Sequence, residues 1–203
     1  MRFHDGEVRD LLIAWVALGV AFTLFVVPSR FLLPPSAGLI DVLGRIFVLS
    51  MLTVGVGFLL HELAHKVVAV QFGQVAAFRA DYTMLALAIG AALAGFLFAA
   101  PGAVYHSGRI TERENGLIAV AGPLTNVALV GVFFPFTFVG GTIGAAGQLG
   151  VTVNAALAAF NMLPFGPLDG KKVRRWSTAV FVPVFVGCVG LAAYAILFVG
   201  FPV

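Results

Sequence analysis

From residue 176 to residue 202 the chain carries no charged side chain, and neither does the stretch 117–139. About 20 consecutive apolar residues are what an α-helix needs to cross the hydrocarbon core of a bilayer. In that core every backbone N–H and C=O must find its partner inside the segment, and a helix does this unaided. Three further apolar runs, at 11–27, 42–72 and 142–162, have comparable lengths. A sixth, at 84–100, is barely long enough to span and is rich in Gly and Ala. Long continuous runs of this kind argue against a β-barrel, whose strands read as short alternating segments. The expectation is an all-α polytopic membrane protein with about six hydrophobic helical segments.

The rest of the composition agrees. Of 203 residues 61% are hydrophobic and 10% charged, against about 25% charged in a soluble domain. The apolar runs use nearly the whole chain, so residues 1–203 read as a single membrane domain without an appended soluble one. The acids Asp5, Glu7 and Asp10 spoil the basic start of a signal peptide, and 11–27 therefore reads as a retained helix. The net charge of +3 is spread thinly except at Lys171, Lys172, Arg174 and Arg175. This is no nucleic-acid footprint; a basic cluster beside a membrane helix marks the cytoplasmic side. The single cysteine, Cys188, excludes an intrachain disulfide and reads as a small buried hydrophobe.

Breaks between the runs are marked locally. Pro28-Ser29-Arg30 and Pro34-Pro35-Ser36 read as a loop, and Pro101-Gly102 ends the run at 84–100. Residues 101–108 read as a short extended segment with a turn. Thr111 followed by Glu112 and Glu114 has the form of a helix start, with a cap and acids in the first turn.

One constellation carries chemistry. His61-Glu62-Leu63-Ala64-His65 places two imidazoles one helical turn apart, on one face. That spacing lets both reach one zinc ion, and Glu62 stands beside the first to accept a proton from a water the metal activates. Ionisable residues inside a membrane helix are expensive and by default functional. Catalytic zinc takes three protein ligands and keeps one position open. Asp169 is the only acid after Glu114. His4, His106, Cys188 and the acids near the chain ends and loops are the other candidates for the third ligand. Asp169 has the best setting, since Pro164 ends the preceding helix and Gly166, Pro167 and Gly170 favour an irregular turn. Such backbone is tolerated at membrane depth where it lines a cavity.

The motif HELAH in an apolar helix, Gly122-Pro123-Leu124-Thr125-Asn126, and Asn161-Met162-Leu163-Pro164 with Leu168-Asp169-Gly170 occur here in that order. Together they resemble the site-2 protease family of intramembrane zinc metalloproteases, over a core of about 42–170. The resemblance implies that His61, His65 and Asp169 bind Zn2+ and that Glu62 is the general base. It implies that Asn161 sits near the metal and that Asn126 supports the site or contacts substrate. It further implies a transmembrane protein substrate, regulated intramembrane proteolysis and a multi-pass location in the lipid bilayer of the cell membrane. Many family members carry a PDZ or CBS domain, for which this chain has no length. In the family, 101–108 would be a membrane-associated strand able to hold an unwound substrate by its edge. His106, on that segment, reads as a surface residue rather than a ligand. The alternative of another class is a membrane zinc carrier using the same His and Asp ligands.

A topological expectation follows from the motifs. The two histidines lie late in the second run and Asp169 just past the fifth, so those two helices should run in the same direction. The segment 84–100 would then enter and leave on one side, or lie within the protein without spanning; if instead it spans, the two helices run opposite ways and the site sits nearer mid-bilayer.

Overall fold

The computed structural model describes residues 2–26, 38–96 and 101–201. The loop expected at Pro28–Ser36 and the end of the 84–100 run lie outside them. Eight helices follow in chain order: α1 (Glu7–Val26), α2 (Leu39–Ser50), α3 (Val56–Gln71), α4 (Tyr82–Leu93), α5 (Glu112–Phe133), α6 (Gly141–Asn161), α7 (Asp169–Trp176) and α8 (Thr178–Tyr194). Two strands, β1 (Val75–Ala80) and β2 (Gly102–Ser107), form a small sheet.

Among the described residues, five helices are long and apolar enough to cross a membrane. They match the five longer runs of the sequence. The second run becomes one 33-residue helix, Leu39–Gln71, in which α2 passes into α3 through a π-helical turn at Met51–Gly55. At about 1.5 Å per residue this helix exceeds the hydrocarbon thickness of about 30 Å, so one end must project or tilt. The protein is thus an all-α polytopic membrane protein with one short sheet. The cap at Thr111 forms as expected: its hydroxyl accepts from the Glu114 amide at 3.2 Å, and its own amide donates to the Glu114 carboxylate at 2.8 Å.

Helix directions follow from the residues that meet. His65 reaches Ile118 and Gly57 reaches Asn126, so α3 and α5 are antiparallel. Asn126 meets Asn154, and a Cβ on Gly150 would strike the Phe133 ring, so α5 and α6 are antiparallel too. Hence α3 and α6 run the same way, and their C-terminal ends share one side of the molecule.

The helix described in the short run between α3 and α5 is too short to span. α4 has 12 residues, about 18 Å of helix. Strands β1 and β2 pair antiparallel in the register Phe78↔Val104 and Ala80↔Gly102, and the Asp81 amide donates to the Pro101 carbonyl at 3.0 Å. The excursion through α4 therefore returns to the point it left. It packs on α1 through a cluster of Ala21, Ala88 and Ala92.

Candidate metal centre

α3 brings His61, Glu62 and His65 to one buried surface. Opposite them stands α5, and its approach depends on Gly122. A Cβ there would lie 2.5 Å from the Nε2 atoms of both histidines, far inside van der Waals contact. Glycine is the residue that leaves space at this point.

Asp169 arrives from the other side. The sequence suggested an irregular turn through Gly170, but helix α7 already begins at Asp169, with Leu168 as its N-cap residue. Gly166 takes a left-handed φ of 61° in the preceding turn, which glycine adopts without strain. A Cβ on Gly170 would meet the Met162 carbonyl oxygen at 2.0 Å, so glycine also lets α7 close down on the end of α6. The carboxylate is buried. Its Oδ2 lies 3.4 Å from His61 Nε2 and 3.2 Å from His65 Nε2, and the two Nε2 atoms are 3.0 Å apart.

These three distances have a simple meaning. Zinc bonded to its ligands at ~2.0–2.1 Å in tetrahedral geometry sets ligand atoms about 3.3 Å apart. His61, His65 and Asp169 thus outline one face of such a tetrahedron, with the fourth corner open.

The tautomers point the same way. His61 Nδ1 lies 2.5 Å from Asn126 Oδ1, and His65 Nδ1 lies 2.7 Å from the Ile118 carbonyl oxygen. Both partners are acceptors, so each Nδ1 carries the proton and each Nε2 presents a lone pair. Two lone pairs and a carboxylate oxygen facing one another, buried and without a donor between them, fit a bound cation. Thiolates are absent and the donors are imidazole and carboxylate, a set that suits zinc among first-row metals.

The orientation of Asn126 is itself fixed. Its Nδ2 donates to the Gly57 carbonyl at 3.3 Å and to Asn154 Oδ1 at 2.8 Å, and Asn154 Nδ2 donates to the Gly150 carbonyl at 2.8 Å. Both asparagines are fully buried. A Cβ on Gly57 would fall 2.4 Å from Asn154 Oδ1, so that glycine makes room for the chain. A hydrogen-bonded line therefore runs from α6 through α5 to His61. The sequence singled out Asn126, and Gly122 and Gly170 within their motifs; Asn154 and Gly57 carried no signal, because what matters is which helix faces them.

Asn161, at the end of α6, donates to the Leu157 carbonyl at 3.0 Å and is only partly buried. Lys172 lies 3.4 Å from Asp169 Oδ1, the oxygen turned away from the histidines. His106 stands on β2, and its imidazole is held below its ordinary pKa, first by burial and then by the nearby positive charge of Lys172.

β2 borders the site with one edge. The amides of Phe78 and Ala80 in β1 point away from β2, since they donate to Glu7 and Asp10 of α1. In an antiparallel pair, opposed residues of this kind both turn their polar groups outward. Gly102 and Val104 thus aim theirs at the outer edge of β2, and the Val104 amide there faces the Glu62 carboxylate.

No family model matches the chain, and no solved structure matches it. Among curated proteins, one from Methanocaldococcus jannaschii named "Putative zinc metalloprotease" is 39% identical over 198 residues, covering 95% of this chain and 96% of its own length. At that identity, over nearly the whole of both sequences, this chain belongs to the same family, one of zinc metalloproteases.

Proposed function

We propose that this protein is an intramembrane protease of the site-2 type that cuts peptide bonds of membrane-embedded substrates. The observation that carries the reading is the buried triangle of His61, His65 and Asp169 beside Glu62, in the C-terminal half of a helix long and apolar enough to span a membrane. His61, His65 and Asp169 would hold the zinc. When bound, zinc polarises a carbonyl and lowers the pKa of a water toward about 7. Glu62, next to the first ligand, is placed to take the proton of the attacking water and to hand it to the leaving amine. Nδ1 hydrogen bonds to Asn126 and Ile118 hold both imidazoles in the metal-binding tautomer. Asn161 is the polar group proposed to meet the substrate carbonyl as it gains negative charge.

A helical substrate has its carbonyls hydrogen-bonded and must unwind to be cut. The outer edge of β2 offers backbone partners for the unwound strand, next to Glu62. The site end of the molecule is proposed to face the cytoplasm. Lys171, Lys172, Arg174 and Arg175 of α7 lie at that end, and so do Arg79, Arg109 and Arg113, whereas Arg45 of α2 lies toward the other. The cell membrane is the proposed location.

The test uses purified protein in detergent with a single-pass reporter substrate. Glu62→Gln should retain zinc and lose cleavage by about 10²–10⁴-fold. Asp169→Ala should lose the metal itself. Undiminished cleavage by Glu62→Gln would remove the general base. A protein that binds zinc, cuts no substrate and passes zinc through liposomes would be a carrier instead.

A further inference from the structure

The second buried polar cluster lies outside the metal site and links the chain's N-terminus to the catalytic helix. Glu7, at the start of α1, is fully buried, as is Lys66, the residue after the ligand His65. The Lys66 ammonium donates to both carboxylate oxygens of Glu7, at 2.5 and 2.6 Å, and stands 4.5 Å from the centre of the Phe3 ring. Glu7 also accepts the amide of His4 at 2.9 Å and the amide of Phe78, in β1, at 3.1 Å. One turn on, Asp10 accepts the Ala80 amide at 3.3 Å and the Tyr82 hydroxyl at 2.7 Å.

Stability is a poor reason for such a pair. Replacing a buried ion pair by apolar residues of similar volume is often neutral or stabilising, and the best-attested use of a buried pair is to fix register. Here the pair fixes three things against one another. Lys66 belongs to the helix that presents His65 and Glu62, Glu7 to α1, and the Phe78 amide to the sheet.

The consequence concerns the edges of that sheet. β1 would otherwise expose outward-pointing amides at Phe78 and Ala80, open to pairing with any extended chain. Glu7 and Asp10 occupy both. The other edge is that of β2, whose Val104 amide faces Glu62 of the site itself. We infer that Glu7, through Lys66 and together with Asp10, is a positioning residue that closes the wrong edge of the sheet and sets the right one at the metal site. This rests on the proteolytic reading above and adds α1 to the working machinery, outside the core of about 42–170 that carries the sequence motifs.

The experiment measures binding apart from cleavage. In full-length, zinc-loaded Glu62→Gln protein a transmembrane substrate stays uncut and its Kd can be read directly. Adding Glu7→Gln should raise that Kd about tenfold and speed amide exchange at Phe78 by at least about tenfold, with zinc stoichiometry unchanged. In the cleaving enzyme the same change should raise KM by a similar factor and alter kcat by less than about threefold. Glu7→Asp, which keeps the charge, should recover part of the loss and serves if Glu7→Gln does not fold. Glu7→Gln with Lys66→Met should fold as well as the parent, since no charge is left unpaired, yet keep the weak Kd.

An unchanged Kd with Phe78 still protected overturns the inference. So does a loss of zinc and kcat together at constant KM, which would make the pair mere support for the fold. If the parent enzyme cuts nothing, the proteolytic reading fails, while the Phe78 exchange and the Kd still decide the role of Glu7.

Discussion

Helices α6 and α8 have nearly the same length as membrane spans, 21 residues against 22 with the π-helical turn Ala195–Val199, yet they hold opposite places. In α6 56% of the span is buried inside the protein, and in α8 only 22%. α6 carries Thr152, Asn154 and Asn161 together with Gly144, Gly147 and Gly150; α8 is almost wholly aliphatic and aromatic. The glycines differ in the same sense. Past the first residue of α6, Gly144, Gly147 and Gly150 each lie under a neighbour, the Phe133 ring for Gly150 and backbone near Phe136 and Val139 for the other two, whereas Gly187 and Gly190 of α8 have nothing within 4 Å. Lipid is as apolar as a protein core, so hydrophobicity does not drive one membrane helix onto another; close packing and interhelical hydrogen bonds do. The less apolar helix is the inner one because its polar groups have partners there.

The contrast breaks most sharply at the point where close packing meets the metal site. Gly122→Ala places a methyl carbon 2.5 Å from the Nε2 atoms of both ligand histidines. Neither ring can retreat while its Nδ1 stays bonded to Asn126 or Ile118. Zinc affinity should fall by more than about 100-fold, the upper end of what disturbing a ligand's surroundings does. Competition with a fluorescent chelator reads it directly; a variant binding zinc like the parent would show that α5 can shift and that the contact does not shape the site.

One step further out lies Asn154. Asn154→Ala removes the acceptor that holds the Asn126 amide, though Gly57 still anchors it. Zinc affinity should drop about tenfold, and global stability by about 0.6–2 kcal/mol, the range measured for hydrogen bonds between membrane helices. If affinity stays the same while stability falls, Asn154 packs helices and does not act on His61.

These sites were unequally visible before the fold was known. The five spanning runs, the paired imidazoles of α3 and the Thr111 cap are local patterns, written in a few consecutive residues. The direction shared by α3 and α6 was one of two arrangements that the placing of the motifs left open, and the contacts of α5 with both helices decide it. By contrast β1, Val75–Ala80, has no clean alternation of polar and apolar residues, and the acids that hold its amides on one side stand some 70 positions earlier in the chain. The start of α7 at Asp169 escaped notice since Gly166 and Pro167 signal a turn and the helix that follows has only eight residues. Glu7 looked like an acid spoiling a signal peptide. Its partner Lys66 is 59 residues away; a lysine among apolar residues calls for a partner, but nothing in its neighbourhood says which.

The smallest effects are expected from a matched pair of glycine substitutions, which sharpen the comparison between the two helices. Gly150→Ala in α6 would put a carbon 2.3 Å from the Phe133 ring. The ring is only partly buried and can tilt, so the overpacking should cost about 1–3 kcal/mol and not unfold the protein. Gly187→Ala in α8 meets open space, and alanine holds a helix better than glycine by up to about 1 kcal/mol. That substitution should be neutral or slightly stabilising. Both can be read from reversible unfolding in mixed micelles, on the same protein background. Opposite signs would confirm that α6 is held by contact and α8 by lipid. A loss of stability at Gly187 as large as at Gly150 would mean that α8 is covered in the membrane by something other than lipid, and its aliphatic face would then have to be counted as an interface.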